Sequence, residues 1–201
     1  IQNIRMKRRR GDLNENLNIA YYPDANEVQI NCDAGRARRP LFVLKNGKLV
    51  ITKEDIRKLT AGETEWNDLI SRGLVEYFDA EEEENIYVAL DFDKITSEHT
   101  HVEIATYTIL GICASIIPYP EHNQSPRNSY EAAMSKQALG INLTNFPNRV
   151  DSRSHIMHYP QTPLVKTKPM EIIGYTERPS GQNCIVAILS FEGYNMEDAI
   201  V

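Results

Sequence analysis

The sequence predicts a mixed α+β chain made of several modules, and three observations carry that expectation. Apolar and polar residues alternate between turn signals in the first fifty positions, capped helical patterns follow from residue 52, and the texture changes again beyond residue 115. We therefore divide the chain into a small β module (1–50), an α+β module (51–115) and the start of a larger, β-rich domain (116–201).

Strands are predicted at Leu17 to Tyr22, at Glu27 to Cys32 in near-perfect alternation, and at Leu41 to Leu44. Asp24-Ala25-Asn26 and Asp33-Ala34-Gly35 supply turns between them, and Asn46-Gly47 is the signal of a tight two-residue hairpin. Thr52-Lys53-Glu54-Asp55 has the form of an N-cap with an acidic first turn, and Ile56 and Leu59 follow at helical spacing. Thr64 is placed to cap a second helix with Trp66, Leu69 and Ile70 on one face, and Gly73 is placed to stop it. Strands return at 74–78 and 86–90, joined by an acidic tip over 79–85. The run from Ala105 to Ile117 is almost wholly apolar and is expected to be buried. Asn183 to Ser190 is a second continuous apolar run, of the length and branching of a fully buried strand.

With 22 Lys+Arg against 28 Asp+Glu, a net charge of −6 and 41% hydrophobic residues, the composition excludes a polar, aromatic-poor disordered chain. No apolar run approaches the ~18 residues that span a bilayer, and the charged start is neither a signal peptide nor a transit sequence. A soluble, intracellular protein is expected. Cys32, Cys113 and Cys184 lie far apart without a CxxC, so they suggest neither a disulfide framework nor a zinc site and are expected in the core. The chain begins without Met and stops at Val201 inside an apolar run, which reads as an excised piece of something longer.

Charge is unevenly placed. Residues 5–10 form a basic cluster and 79–84 an acidic one, and blocks of this kind are ordinarily solvated faces or loop tips. From His122 to Met170 six Lys+Arg face only Glu131 and Asp151, a local +4 that suits phosphates.

Ser125-Pro126 opens a predicted helix that Gly140 stops. At ~100° per residue, Arg127, Tyr130, Met134 and Gln137 share one stripe, a binding face rather than a core face. A cation in the first turn opposes the helix dipole. Two explanations stand: an anion such as phosphate binds Arg127 and free backbone N–H groups, or Arg127 pairs with a carboxylate elsewhere. Near the end, Glu197 and Asp198 are adjacent carboxylates beyond Gly193. They either occupy the first turn of a helix capped by Asn195 or serve as a weak Mg²⁺ site shared with phosphate oxygens. His99-Thr100-His101 offers two imidazoles with no third ligand. P-loop, GxGxxG and GxSxG motifs are absent, so common nucleotide-fold and hydrolase readings have no support.

These motifs together resemble the second-largest, β-type subunit of multisubunit DNA-directed RNA polymerase. The resemblance is carried by Asp33-Ala34-Gly35-Arg36, Arg39-Pro40-Leu41-Phe42, Gly73 to Tyr77 with the acidic run, His122 to Tyr130, Gly181-Gln182-Asn183 and Gly193 to Asp198. It runs in order across nearly the whole chain. The short connection from Ile86 to Val102 and the segment Pro163 to Tyr175 resemble archaeal members.

The resemblance implies that 1–50 and 51–115 are the two external domains and that 116–201 begins the hybrid-binding region. It implies that Arg127 reaches the nucleoside triphosphate, that Tyr130 and Gln137 face the nucleotide and RNA 3′ end, and that Glu197 and Asp198 form the acidic pair near a second Mg²⁺. Asp198 is then its weak or water-mediated ligand, with the site completed by the largest subunit and no zinc expected. The partners implied are the other polymerase subunits, template DNA, the RNA transcript and nucleoside triphosphates, with no membrane. The location implied is cytoplasmic in an archaeon and nuclear in a eukaryote. The isolated chain is expected to be inactive. A noncatalytic scaffold that docks other polymerase subunits or transcription factors is the alternative.

Overall fold

The computed structural model describes residues 1–189 and divides into two compact units, Ile1–Ile109 and a second that begins at Leu110. In the first unit, helix α1 (Gln2–Arg9) precedes a hairpin of β1 (Asn18–Tyr22) and β2 (Glu27–Asn31), paired from Asn18↔Asn31 to Tyr22↔Glu27. Strand β3 (Arg38–Lys45) then enters the main sheet. It turns through Asn46-Gly47 into β4 (Lys48–Leu49), with both turn residues at positive φ as the tight hairpin requires.

Helix α2 (Lys53–Thr60) starts at the expected cap. Thr52 Oγ1 accepts the Asp55 N–H at 3.2 Å while Asp55 Oδ2 accepts the Thr52 N–H at 3.0 Å. Arg72 donates to Asp55 Oδ1 at 2.7 Å, which ties this start to the end of α3 (Trp66–Ser71). The Asp55 carboxyl is held down at about 2, first by its bonds with Thr52 and then by Arg72. The cap of α3 is one residue later than the sequence suggested: Glu65 occupies it, its N–H donating to Asp68 Oδ2 at 2.9 Å, because Asp68 supplies the reciprocal carboxylate. Gly73 ends the helix at φ +69° as expected. A Cβ there would lie 3.0 Å from the Arg9 carbonyl, so this glycine also lets α1 approach closely.

Strand β5 (Val75–Asp79) pairs with β3 on one side, and β7 (His101–Glu103) pairs with β3 on the other, so β3 is central. The short β6 (Val88–Ala89) runs parallel to β7 at the sheet edge, shorter than the expected 86–90. Phe42, Leu44, Leu69, Leu74, Val75 and Val102 build the core, with Trp66, Leu59 and Ile70 packed against it. Trp66 satisfies its indole by donating to the Tyr77 hydroxyl at 3.0 Å.

The acidic run is not a solvated tip. It forms helix α4 (Ala80–Glu83), capped by Asp79, which accepts the Glu82 N–H at 2.8 Å. Glu82 is fully buried and takes Arg8 bidentately at 2.7 and 3.0 Å, Arg5 at 2.9 Å and the Asn18 amide at 2.5 Å. Glu76, also buried, takes Arg9 on both oxygens at 3.0 Å. Arg36 donates to Asp79 at 2.7 Å and to the Asn16 carbonyl, and Arg39 bridges Glu83 and Glu103. Arg5 and Arg8 of the basic block thus meet Glu82 of the acidic one across more than seventy residues of sequence, and Arg9 meets Glu76 just before it, which corrects the reading of these residues as solvated, while Lys7, Arg10 and Glu84 remain exposed.

His101 Nε2–H donates to Glu76 at 3.0 Å. Burial lowers the His101 pKa and the nearby Glu76 only partly opposes this, so the ring is neutral. Burial pushes the Glu76 carboxyl up, but bonds from His101 and Arg9 and the charges of Arg9 and Arg8 outweigh it and hold it at about 2. His99 faces elsewhere, stacked on Tyr87 at 4.3 Å, and among the described residues no group of three potential metal ligands forms.

Three core expectations fail. Cys32 and Cys184 are exposed and Cys113 is half-buried. In the run 105–117 only Ser115 and Ile117 are buried, because the run straddles the division between the units; Ile109 and Ile112 stand exposed. Residues 183–189 form no strand, and Ile185, Val186 and Ile188 are exposed. No described helix is long and apolar enough to cross a membrane.

Candidate functional site

The second unit holds the predicted binding face. Helix α5 (Ile112–Ser115) leads to a 3₁₀ turn at Pro120–His122, entered through Tyr119 at φ +49°. The segment His122 to Tyr130 then builds helix α6 (Ser125–Ser135). Its cap is Gln124 rather than Ser125, and Pro126 occupies the second helical position. Two asparagines of the motif fasten the entry. Asn128 Nδ2 donates to the Pro120 carbonyl at 2.8 Å, and Asn123 Nδ2 donates to Asn128 Oδ1 at 3.0 Å. This amide pair fixes the turn before α6, a role the residue types allowed but the spacing did not announce.

On α6, Arg127 and Tyr130 lie side by side and exposed, the guanidinium 5.8 Å from the ring centroid. Met134 follows on the same face, also exposed. Among the described residues Arg127 has no carboxylate within ion-pair distance. Its own backbone N–H donates to the Gln124 carbonyl at 3.0 Å and Pro126 has none, so the free backbone donors expected around Arg127 are fewer. An anion here would be met mainly by the guanidinium.

Gln137 lies beyond the helix, in a turn where its N–H donates to the Met134 carbonyl at 2.9 Å; the stripe is therefore helical only through Met134. Gly140 is not the stop. It forms an isolated bridge with Ser180, and a Cβ on it would meet the Pro179 carbonyl and Ser180 Oγ at 3.0 Å, so close backbone approach explains the glycine.

Gly181-Gln182-Asn183 closes the far side of this unit. The Asn183 side chain donates to the Thr162 carbonyl at 2.9 Å and accepts the Leu164 N–H at 3.2 Å, while Gln182 donates to the Tyr159 carbonyl at 3.1 Å. The motif thereby pins the extended segment 159–164. Helix α7 (Lys168–Ile172), capped by Thr167 with Pro169 in its first turn, buries Met170.

The local positive charge persists in part. Arg149 pairs with Asp151 at 2.8 Å and Lys166 with Glu171 at 3.6 Å, whereas Arg127, Lys136, Arg153 and Lys168 have no ion pair among the described residues. Glu197 and Asp198 lie outside the described residues.

Three family models match in order along the chain: RNA polymerase Rpb2 domain 4 over residues 1–45, domain 5 over 66–109 and domain 6 over 113–201. The chain is 55% identical to DNA-directed RNA polymerase subunit Rpo2 of Saccharolobus shibatae over 98% of its own length and 18% of the relative's. It is 47% identical to DNA-directed RNA polymerase II subunit RPB2 of Encephalitozoon cuniculi over 100% of its length and 18% of the relative's. It is 44% identical to DNA-directed RNA polymerase III subunit RPC2 of Saccharomyces cerevisiae, again over 100% and 18%. The chain thus spans about a fifth of the length of these relatives. With the three domain matches in order and this identity across its whole length, the chain belongs to the second-largest subunit family of DNA-directed RNA polymerase and forms part of that subunit.

Proposed function

We propose that this part of the subunit helps build the nucleotide-addition site and the channel for the RNA–DNA hybrid, with the complete polymerase joining nucleotides on a DNA template. The observation that carries the reading is the exposed Arg127–Tyr130 pair on α6, a cation over an aromatic face within the stretch matched by domain 6. In this reading Arg127 neutralises charge on the triphosphate, and Tyr130 and Gln137 bound the space for the nucleotide and the RNA 3′ end. The RNA 3′-hydroxyl attacks the α-phosphate and pyrophosphate leaves. The partners are the largest subunit and the other polymerase subunits, template, transcript and nucleoside triphosphates. Identity to the Saccharolobus relatives supports an archaeal-type polymerase.

Among the described residues no group of three potential metal ligands forms; on this chain the Mg²⁺ contact in this proposal is Asp198, weak or through water, with Glu197 beside it. Two adjacent carboxylates suit a hard cation held largely through water. Mg²⁺ bound there would offset negative charge on the phosphate oxygens. The largest subunit would complete its coordination, and the chain alone is expected to show no polymerase activity.

Arg127→Ala in the assembled polymerase tests the reading. Use of nucleoside triphosphate should fall by about 1.5–3 kcal/mol in kcat/KM, the scale of a charged hydrogen bond, with template affinity unchanged. An equal loss of template affinity would make Arg127 a general nucleic-acid contact instead.

A further inference from the structure

The face that carries Arg127 and Tyr130 has no core to hold it. Helix α6 buries none of its 11 residues, although it lies against the short α5. Packing of an apolar face ordinarily fixes how a helix is turned about its axis, and here polar contacts must do so instead.

Asn128, the residue after Arg127, supplies them with both halves of its amide. Its Nδ2 donates to the Pro120 carbonyl at 2.8 Å and its Oδ1 accepts from Asn123 Nδ2 at 3.0 Å. The Pro120 carbonyl can only accept, so the orientation of the Asn128 amide is fixed and Oδ1 is left for Asn123. Both partners belong to the 3₁₀ turn Pro120–His122 and its end. Tyr119 enters that turn at φ +49°, a left-handed backbone that a tyrosine adopts only under constraint. Asn128 is half-buried, whereas Arg127 and Tyr130 beside it are exposed, so one rotation of α6 sets both the inner anchor and the outer cation. A turn of about 20°, at a side-chain radius of roughly 6 Å, would carry the guanidinium about 2 Å. A misplacement of about 1 Å can already cost on the order of a hundredfold in rate.

We infer that Asn128 is a positioning residue for nucleotide use. It acts not by touching the nucleotide but by locking α6 to the turn at Pro120, which holds Arg127 where it meets the triphosphate. This role rests on the proposed contact of Arg127 with the triphosphate.

The test is single-nucleotide addition by the assembled polymerase, normalised to assembled enzyme, for Asn128→Ala, Arg127→Ala and the two combined. Asn128→Ala should lower kcat/KM for nucleoside triphosphate about five- to tenfold in the natural enzyme, with template affinity unchanged. In the Arg127→Ala background it should change kcat/KM by less than about twofold, because a group that acts through Arg127 has nothing left to act on. Asn128→Asp should do no better than alanine, since a carboxylate cannot donate to Pro120 and sets oxygen against oxygen. If Asn128→Ala fails to assemble, Asn123→Ala, which gives up one bond of the pair at an exposed position, goes through the same cycle with a loss of about two- to threefold expected. Equal losses in the two backgrounds would mean a merely structural amide and would overturn the role while leaving that of Arg127 intact, as would full activity of Asn128→Ala. No loss from Arg127→Ala would instead remove the triphosphate contact itself, and the role of Asn128 with it.

Discussion

Arg8 and Glu82 form a bidentate pair, at 2.7 and 3.0 Å, with side chains 5% and 0% exposed. Glu82 also receives Arg5 and Asn18, so one carboxylate fastens α1, β1 and α4 together. Such a pair is costly to break, because the partner left behind is a charge without solvent.

Glu82→Gln keeps the shape and removes the charge, leaving Arg8 and Arg5 uncompensated. Chemical denaturation of the first unit's transition should show a loss of about 3–5 kcal/mol. The double variant Arg8→Met, Glu82→Leu should recover part of that loss, since it removes the buried Arg8 charge as well and leaves only the partly exposed Arg5 without its carboxylate. Equal loss in single and double variants would mean that the shape of the cluster, not its charge, matters.

Acid should unfold this unit in two stages. The folded pKa of His101 is lowered, so the unfolded state binds the proton first, and stability contributed by the neutral ring is present above about 6.5 and declines as pH falls below it. Glu76 is held at about 2 against an ordinary 4.5, so its contribution is full above 4.5 and is lost as pH falls from there towards 2. Melting temperatures between pH 8 and 3, compared for the natural chain and His101→Gln, should show the upper stage missing in the variant.

Gly73→Ala and Gly62→Ala separate backbone strain from contact. Both glycines have φ near +70°, but only at Gly73 would a Cβ meet the Arg9 carbonyl at 3.0 Å. Each substitution should cost about 1–2 kcal/mol for the left-handed backbone, with an added loss at Gly73. Denaturation midpoints of the two variants measure the difference directly.

Changing Glu197 to Gln and Asp198 to Asn in the complete polymerase should slow nucleotide addition and pyrophosphorolysis together and raise the Mg²⁺ requirement, since both reactions pass through one transition state. Titration of Mg²⁺ against elongation rate decides it. Superimposable curves for the two enzymes would leave the pair as a helix cap, with only about 0.3–1 kcal/mol of stability for each residue.

What the sequence revealed depended on distance along the chain. The Asn46-Gly47 hairpin, the Thr52–Asp55 box and the start of α6 are set by residues within a few positions of each other, and the structure has them within a residue of expectation. The arginine–carboxylate cluster was invisible because Arg8 and Glu82 are 74 residues apart, and a run of like charges reads the same whether it meets water or an opposite run. Residues 183–189 misled for a related reason: an apolar run says that burial is favourable, not that a partner strand is there. At the candidate site, Arg127 and Tyr130 were legible from helical spacing alone. Gln137 was not, because the helix ends at Ser135 in spite of a pattern that continues.

The separation between α1 and α4 also orders events during synthesis. Arg8 leaves the ribosome 74 residues before Glu82, an interval of roughly 4–15 s at ordinary elongation rates. Through that interval helix α1 carries Arg5, Arg8 and Arg9 without their carboxylates, next to a ribosomal surface rich in phosphate. The first unit can close only when β5 and α4 emerge, so the arginines of α1 stay open until then.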